Sequence, residues 1–180
     1  MPENRARIPA DPPSPLDRHG APVVASAAVP LISLHSPIGP LSVAEEDGAI
    51  VSLDWGWGSQ QSPTQLLERA RDRLQAYFDG DIAPFDLPLA PAGTAYQRRV
   101  WAALCTVPRG AVWTYGRLAC AAGGSPRSIG GAMGRNPIPI IIPCHRVVAG
   151  DGPGGYSGAG GLATKRYLLE LEGAALPLAA

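Results

Sequence analysis

The feature that most limits the fold of this chain is a proline-interrupted apolar segment, residues 136–148, which contains Cys144-His145-Arg146. Its three prolines donate no backbone hydrogen bond, so the segment cannot be an ordinary central strand. We expect an extended, edge-like segment that holds Cys144 in a fixed position. A thiol beside a possible base and a fixed cation lies in an electropositive setting that favours the thiolate. The alternative is a packing role, because free cysteine is among the most buried residue types.

The composition limits the class of protein. With 180 residues and 46% apolar residues, the chain can form one domain of ordinary size or two small ones. No apolar run is long enough for a transmembrane helix, and no secretory signal is visible. Three cysteines without a close pair indicate a reducing compartment rather than a disulfide framework. No spacing typical of a zinc site occurs, so we expect neither a metal nor another cofactor.

Charge is distributed unequally along the chain, although the formal net charge is zero. Residues 1–90 contain 6 Lys and Arg against 12 Asp and Glu, whereas residues 91–180 contain 9 against 3. The halves therefore carry −6 and +6. This asymmetry is expected when only the C-terminal half meets a polyanion.

The N-terminal half is predicted to be a flexible leader followed by a small sheet. Residues 1–29 are rich in proline and poor in large apolar residues, which is typical of a flexible segment. Alternating runs at residues 31–36, 41–45 and 49–55 are separated by turns containing proline or glycine. They predict an antiparallel meander.

A helix should follow this sheet. Ser62 is the expected cap, with Pro63 at the first helical position and Gln65 completing a capping box. Gly80 should end the helix. Residues 81–93 have the composition of a linker or surface strand, so we place the boundary between the acidic and basic halves near residue 91.

The C-terminal half is predicted to be mainly helical. A capping box at residues 94–97 begins one helix, which Pro108-Arg109-Gly110 should end. Short helices at residues 115–122 and 126–134, which Thr114 and Ser125 can cap, are joined by a glycine turn and form a helix-turn-helix pattern. A final helix should span residues 162–172. The fold class is therefore α+β: a small N-terminal antiparallel sheet with a helix, then a mainly helical part containing a helix-turn-helix.

The second helix of this pair has an unusual composition. Gly130 and Gly131 lie inside it, and each costs about 1 kcal/mol relative to alanine. They leave a nearly bare backbone face between Arg127 and Arg135. Such a face permits close approach of another backbone, and the arginines suit phosphate. Close packing against a neighbouring helix explains the glycines equally well.

Several motifs of the C-terminal half resemble those of a known family. Pro143-Cys144-His145-Arg146-Val147, preceded by Asn136-Pro137 and by Gly130-Gly131-Ala132-Met133, resembles the O6-alkylguanine-DNA alkyltransferase (methylated-DNA–protein-cysteine methyltransferase) family. Tyr156-Ser157-Gly158 and the helix containing Lys165 and Glu172 also match. The resemblance covers residues 94–173 closely, and residues 36–41 are similar to the family's N-terminal hairpin.

The resemblance implies a chemistry for the site. Cys144 would attack the alkyl carbon on guanine O6, or on thymine O4, and would keep the alkyl group as a thioether. His145 would take the thiol proton through a water, and Glu172 would orient His145. Asn136 would hold the Cys144 segment, and Tyr115 would assist by crowding or hydrogen-bonding the flipped nucleotide.

The resemblance also implies how DNA is bound. The second helix would enter the minor groove, and Arg127 would fill the gap left by a flipped base. The DNA-contacting residues implied are Arg127, Ser128, Gly130, Gly131, Ala132 and Arg135. The residues implied to line the base pocket are Met133, Pro139, Val147, Val148, Tyr156 and Ser157.

The resemblance also implies how the chain is divided into domains and where it would act. Residues 30–90 would form an α/β, ribonuclease H-like domain, residues 91–175 the alkyltransferase domain, and residues 176–180 a tail. The partner would be double-stranded DNA containing O6-alkylguanine. The protein would bind it as a monomer and would not associate with a membrane. The location would be the cytoplasm, or the nucleus in a eukaryote. A thioether is a poor leaving group, so each molecule would act once.

Three other interpretations remain open on the residues. An alkyltransferase-like protein binds lesions without repair, but such proteins lack the cysteine that Cys144 supplies here. A cysteine hydrolase using Cys144, His145 and Glu172 would turn over repeatedly. A helix-turn-helix regulator with a structural Cys144 would prefer one DNA sequence.

Overall fold

The structure is a computed structural model that describes residues 29–174. The predicted leader and the predicted tail, residues 176–180, lie outside the described residues apart from Val29. The elements, in chain order, are β1 (Leu31–Leu34), β2 (Leu41–Glu46), β3 (Ala49–Trp55), α1 (Gln65–Phe78), α2 (Ala95–Cys105), β4 (Trp113–Thr114), α3 (Tyr115–Ala122), α4 (Pro126–Met133), β5 (Val147–Val148) and α5 (Leu162–Leu171).

The N-terminal part is the predicted meander with a helix against it. Strands β1, β2 and β3 pair antiparallel in that order, and the register of the second pair shifts between Ala44 and Glu45. The apolar face of the sheet packs against α1, which buries Leu67 and Leu74. This arrangement confirms the predicted fold class for the N-terminal part.

The start of α1 differs from the prediction. Thr64, not Ser62, is the cap, and its hydroxyl accepts a hydrogen bond from the Leu67 N–H. The Ser62 hydroxyl instead accepts one from the N–H of Leu31 in β1. The Ser62 hydroxyl could have capped α1 or bonded to the sheet, and the sequence alone does not distinguish these two roles. Phe78 is the last helical residue, and Gly80 follows with φ +95°.

The outer edge of β3 connects the sheet to the C-terminal half. The Ile50 N–H donates to Pro88 O at 2.8 Å, and Ile50 O accepts from Ala90 N–H at 2.9 Å. Further along the same strand, the Leu53 N–H donates to Pro137 O at 2.9 Å. Strand β3 thus holds the start of the segment that leads to Cys144.

The helical part is built around α2, α3 and α4. Trp101 of α2 is 1% exposed, and its indole N–H donates to Ala132 O of α4 at 3.0 Å. The predicted capping box at Thr94 and Gln97 is present. Helix α2 ends at Cys105, with Thr106 as its C-terminal cap, and therefore stops before the predicted end at Pro108.

Helices α3 and α4 form the predicted helix-turn-helix. Thr114 and Ser125 cap the two helices as expected. Gly123 and Gly124 join them with φ +76° and +128°, values in the region that favours glycine. The glycine turn is therefore required by the backbone of this connection.

The segment before Cys144 is not the extended edge predicted. Residues 136–143 fold into consecutive turns, and Ile140 has φ +73°, which is rare for a β-branched residue. Ile138, Ile140 and Ile142 are almost completely buried in the core. Their burial compensates for a backbone conformation that costs about 1–3 kcal/mol.

The described part of the chain contains no helix long and apolar enough to cross a membrane. Between residues 29 and 174 there is also no cluster of three His, Cys, Asp or Glu side chains placed to hold a metal ion.

Candidate active site

Cys144 begins a single 3₁₀ turn, Cys144–Arg146, at the end of the turn-rich segment. Its N–H donates to Ile142 O at 2.8 Å, which fixes the backbone. The residue is only 4% exposed. It nevertheless lines a cavity of about 230 Å³, together with Tyr115, Gly130, Met133, Gly134, Gly155, Tyr156 and Ser157. The thiol is therefore buried but accessible from this cavity.

His145 is held by Glu172 at the end of α5. The distance from His145 Nε2 to Glu172 Oε1 is 2.9 Å, and both side chains are fully buried. An ionised carboxylate only accepts hydrogen bonds, so Nε2 must carry the proton. Nδ1 is then the free acceptor of a neutral imidazole, and it is buried without a protein partner among the described residues. The imidazole can accept a proton at Nδ1.

Three side chains donate hydrogen bonds to Glu172. Arg146 donates from Nε to Oε2 at 2.8 Å and from Nη2 to Oε1 at 2.9 Å. The Tyr77 hydroxyl of α1 donates to Oε1 at 2.8 Å, in addition to the bond from His145. Burial alone would raise the pKa of Glu172, but the hydrogen bonds from His145 and Arg146 hold it well below its usual range. The carboxylate is thus ionised throughout the physiological range.

The thiol is not in the thiolate-favouring setting expected from the sequence. Burial raises the pKa of Cys144, and this outweighs the opposing influence of Asn136 and Lys165. Burial also lowers the pKa of His145, against the influence of Glu172. The nearby arginine does not face the sulfur, because Arg146 is bound to Glu172 and to Val107 O. The resting pair is a neutral thiol beside a neutral imidazole.

Lys165 is a buried cation that was not among the site residues expected from the sequence. Its Nζ donates to Val147 O and to Gly155 O, at 2.6 and 3.0 Å. Burial lowers the pKa of Lys165 to about 8, while the negative charge of a Cys144 thiolate would raise it. Its spacing from Leu168 and Leu169 places it on the buried face of α5, which is the signal that could have identified it.

Asn136 and Tyr115 both lie next to Cys144. Asn136 Nδ2 donates to Ile142 O at 2.8 Å, and its Oδ1 accepts from the Ile138 N–H at 3.1 Å. The amide thus closes the turn that precedes Cys144. Tyr115 begins α3 and lines the cavity. Burial raises the pKa of Tyr115, and a Cys144 thiolate would raise it further.

The residues predicted for the base pocket separate into two groups. Met133, Tyr156 and Ser157 line the cavity. The remaining three, Pro139, Val147 and Val148, are buried and do not line it. Val147 and Val148 form β5, which pairs in parallel with β4, so they belong to the core behind Cys144.

The outer face of α4 is open, as a surface for close approach requires. A Cβ atom at Gly131 would meet nothing within 4 Å, and one at Gly130 would meet only Tyr115 at 3.9 Å. The glycines are therefore not explained by packing against a neighbouring helix. Arg127 and Arg135 are exposed on either side.

The other two residues predicted to contact DNA are engaged within the protein. The Ser128 hydroxyl lies 2.6 Å from the Tyr96 hydroxyl and completes the capping box with Ser125. Ala132 is 3% exposed, and its carbonyl binds Trp101. Both nevertheless border a shallow cleft that also includes Gly131 and Arg135.

Fold and site together define a class: a two-part α+β protein that presents a cysteine from a cavity beside a helix-turn-helix. Two family models match the chain. The DNA binding domain of 6-O-methylguanine DNA methyltransferase matches residues 95–174, and the ribonuclease-like domain of the same family matches residues 31–91. The chain belongs to the methylated-DNA–protein-cysteine methyltransferase family.

Individual members of this family align with the chain over most of their length. A methylated-DNA–protein-cysteine methyltransferase of Methanosarcina barkeri is 43% identical over 150 residues, covering 77% of this chain and 94% of the relative. The Mycobacterium tuberculosis protein of that name is 40% identical over 156 residues, covering 81% and 93%. The crystal structure of Mycobacterium tuberculosis OGT in complex with DNA has a TM-score of 0.72 at 41% identity, covering 81% of this chain and 93% of that chain.

Proposed function

We propose that this protein repairs DNA by transferring the alkyl group of O6-alkylguanine to the thiol of Cys144, once per molecule. The observation that carries the proposal is the opening of Cys144 into a cavity bordered by α3 and α4 of the helix-turn-helix. Family membership supports the reaction, and the pairing of His145 with Glu172 supports its chemistry. O4-alkylthymine is a second substrate of the same proposal.

The reaction begins with proton transfer. The Cys144 thiol gives its proton, through a water, to Nδ1 of His145. Glu172 accepts the Nε2–H of His145 and stabilises the imidazolium that forms. Because Tyr77 and Arg146 also donate to Glu172, the carboxylate stays ionised and does not take the proton itself.

The thiolate then attacks the alkyl carbon. The S–C bond forms as the C–O6 bond breaks, and the electron pair of the broken bond passes to guanine. Guanine takes up one proton and the imidazolium of His145 releases the proton it received from Cys144, so the protons balance. Lys165 and Tyr115 lie beside the sulfur and the cavity, so they are placed to stabilise the charge that moves between these atoms.

The base reaches the cavity by leaving the double helix. The open face of α4 lies in the minor groove, Gly130 and Gly131 permit close approach, and Arg127 fills the gap in the stack. Asn136 holds the Cys144 segment, while Met133, Tyr156 and Ser157 contact the flipped base. Pro139, Val147 and Val148 support this wall from the core. Ser128, Ala132 and Arg135 border the DNA backbone.

The organisation and setting complete the proposal. Residues 30–90 form the ribonuclease H-like domain and residues 91–175 the alkyltransferase domain, a division supported by the family models at residues 31–91 and 95–174. The protein acts as a monomer on double-stranded DNA. It works in the cytoplasm, or in the nucleus if its source is a eukaryote.

The number of lesions removed per molecule tests the proposal. A duplex containing one O6-methylguanine is mixed in tenfold excess over the protein, and the repaired fraction is followed to completion. Repair should stop at one lesion per molecule. Continued repair beyond that ratio would indicate a hydrolase, and binding without repair would indicate a lesion-binding protein.

A further inference from the structure

Gly158, immediately after the cavity-lining residues Tyr156 and Ser157, is enclosed by two aromatic rings. A Cβ atom built at Gly158 would collide with Cε1 of Tyr156. It would also lie 2.7 and 2.8 Å from Cη2 and Cζ2 of Trp55, closer than real Cβ atoms approach other atoms. The backbone at Gly158 is therefore in direct contact with the indole of a residue from the N-terminal sheet.

Trp55 is fixed by its place in that sheet. It is the last residue of β3 and pairs with Leu41 of β2. Its indole Nε1 is buried and has no protein partner among the described residues. The ring therefore acts on residues 156–158 by packing and not by a directed hydrogen bond.

The same strand also contacts the segment that leads to Cys144. Leu53 N–H donates to Pro137 O at the start of the segment that presents Cys144. Tyr156 and Ser157 line the cavity together with Cys144. Strand β3 thus touches both the segment that leads to the thiol and the residues around Gly158, next to the cavity.

We propose that Trp55 is a positioning residue that holds residues 156–158 against the cavity and so limits the size of the alkyl group accepted. The inference rests on the proposed alkyl transfer. Replacing the indole with a methyl group leaves a void behind Gly158, and residues 156–158 can then move into it. A larger substituent fits, but a methyl group is aligned less well with the sulfur, and small misplacements of reacting atoms cost rate.

The experiment compares Trp55→Ala with the matched control Trp57→Ala. Trp57 lies near Trp55 in the sequence but has no role in the proposal, because it is 53% exposed and packs against His35, with ring centroids 4.7 Å apart. Single-turnover rate constants are measured on one duplex carrying either O6-methylguanine or O6-benzylguanine. In Trp55→Ala the ratio of the benzyl to the methyl rate constant should rise about tenfold, a typical effect of pocket size on selectivity. In Trp57→Ala the ratio should not change.

Two results would overturn the proposal. If both rate constants fall by the same factor in Trp55→Ala, the residue supports the fold without selecting the substrate. If neither changes, residues 156–158 do not depend on the indole. Trp55→Phe, which keeps an aromatic ring, should show a smaller change in the ratio and guards against loss of folding in the alanine variant.

A second pair of measurements tests the contact itself. Gly158→Ala should slow methyl transfer, and the loss should be about tenfold smaller when Trp55→Ala is also present, because one of the two colliding rings is gone. Independent losses would contradict the contact. Amide hydrogen exchange in residues 154–161 should accelerate in Trp55→Ala but not in Trp57→Ala. This readout does not need repair activity, so it decides the contact even if the wild-type protein fails to repair DNA.

Discussion

At the scale of single residues, burial sets the protonation states of the site. Cys144 and His145 are both enclosed, which raises the pKa of the thiol and lowers the pKa of the imidazole. At neutral pH both groups are therefore uncharged, and a proton must pass between them before the sulfur can react. The rate should then depend on the protonation state of the pair, not on free thiolate alone.

The first prediction is a flat pH profile. Burial holds the pKa of His145 below 6.5, the usual value for histidine, so the imidazole is neutral at and above about pH 6.5. The rate should fall only at lower pH, where His145 becomes protonated. From about pH 6.5 to pH 8, where Lys165 has lost about half of its protons, the rate of methyl transfer should change by no more than about twofold. Quenched single-turnover repair assays at several pH values would measure this rate.

A variant without the base should behave differently. In His145→Gln the rate should be about 10²–10⁴-fold lower. It should rise nearly tenfold per pH unit between pH 6.5 and 8, because only pre-formed thiolate reacts. A wild-type profile with that same slope would show that His145 is not the base.

The second prediction concerns Glu172 and stability. Because its folded pKa is held below the unfolded value of about 4.3, its stabilising contribution is complete above that pH and is lost as pH falls through the folded pKa. Glu172→Gln should lower the free energy of unfolding by about 3 kcal/mol at pH 7, since Arg146 loses its partner. In denaturant titrations the gap between the two proteins should narrow at pH 3.5. A gap that stays constant would contradict the assigned ionisation.

At the scale of elements, local sequence determines the helices better than the segment between them. The caps of α2, α3 and α4 are formed by the residues predicted from the sequence, because each cap is a contact between neighbours in the chain. Residues 136–143 adopt turns instead of the predicted extended form. Besides the local hydrogen bonds of Asn136, the segment accepts a hydrogen bond from Leu53, which lies far away in the sequence and is not visible as a local pattern.

The third prediction uses the open face of α4. Gly131→Ala should raise the free energy of unfolding by about 0.5–1 kcal/mol, because alanine favours a helix and its Cβ has free space here. The same change should weaken DNA binding about tenfold if this face lies on the minor groove. Thermal unfolding and titration with a labelled duplex at fixed salt measure the two effects. Higher stability with unchanged affinity would place DNA on another surface.

At the scale of the whole molecule, the N-terminal half completes a site that lies in the C-terminal half. The Tyr77 hydroxyl of α1 reaches Glu172, 95 residues away in the sequence. Cys144 and His145 could be predicted because they are adjacent in the chain. Tyr77 and the indole of Trp55 could not, because only the packing of the two halves brings them to the site.

The fourth prediction tests this connection. Tyr77→Phe should lower the free energy of unfolding by about 1–2 kcal/mol, because a buried carboxylate oxygen loses a donor. It should also slow methyl transfer several-fold by loosening Glu172. Tyr167→Phe removes a hydroxyl from α5 that does not bind Glu172 and serves as the control. Equal effects of the two changes would mean that the Tyr77 hydrogen bond has no special role.

The central claim is that one thiol accepts the alkyl group and keeps it. The most direct test is to incubate the protein with an O6-methylguanine duplex, digest the protein with a protease, and measure the peptide masses by mass spectrometry. The peptide containing Cys144 should gain the mass of one methyl group, the duplex should regain guanine, and Cys144→Ser should bind the duplex without either change. Repair that leaves Cys144 unmodified, or repair by Cys144→Ser, would contradict the account.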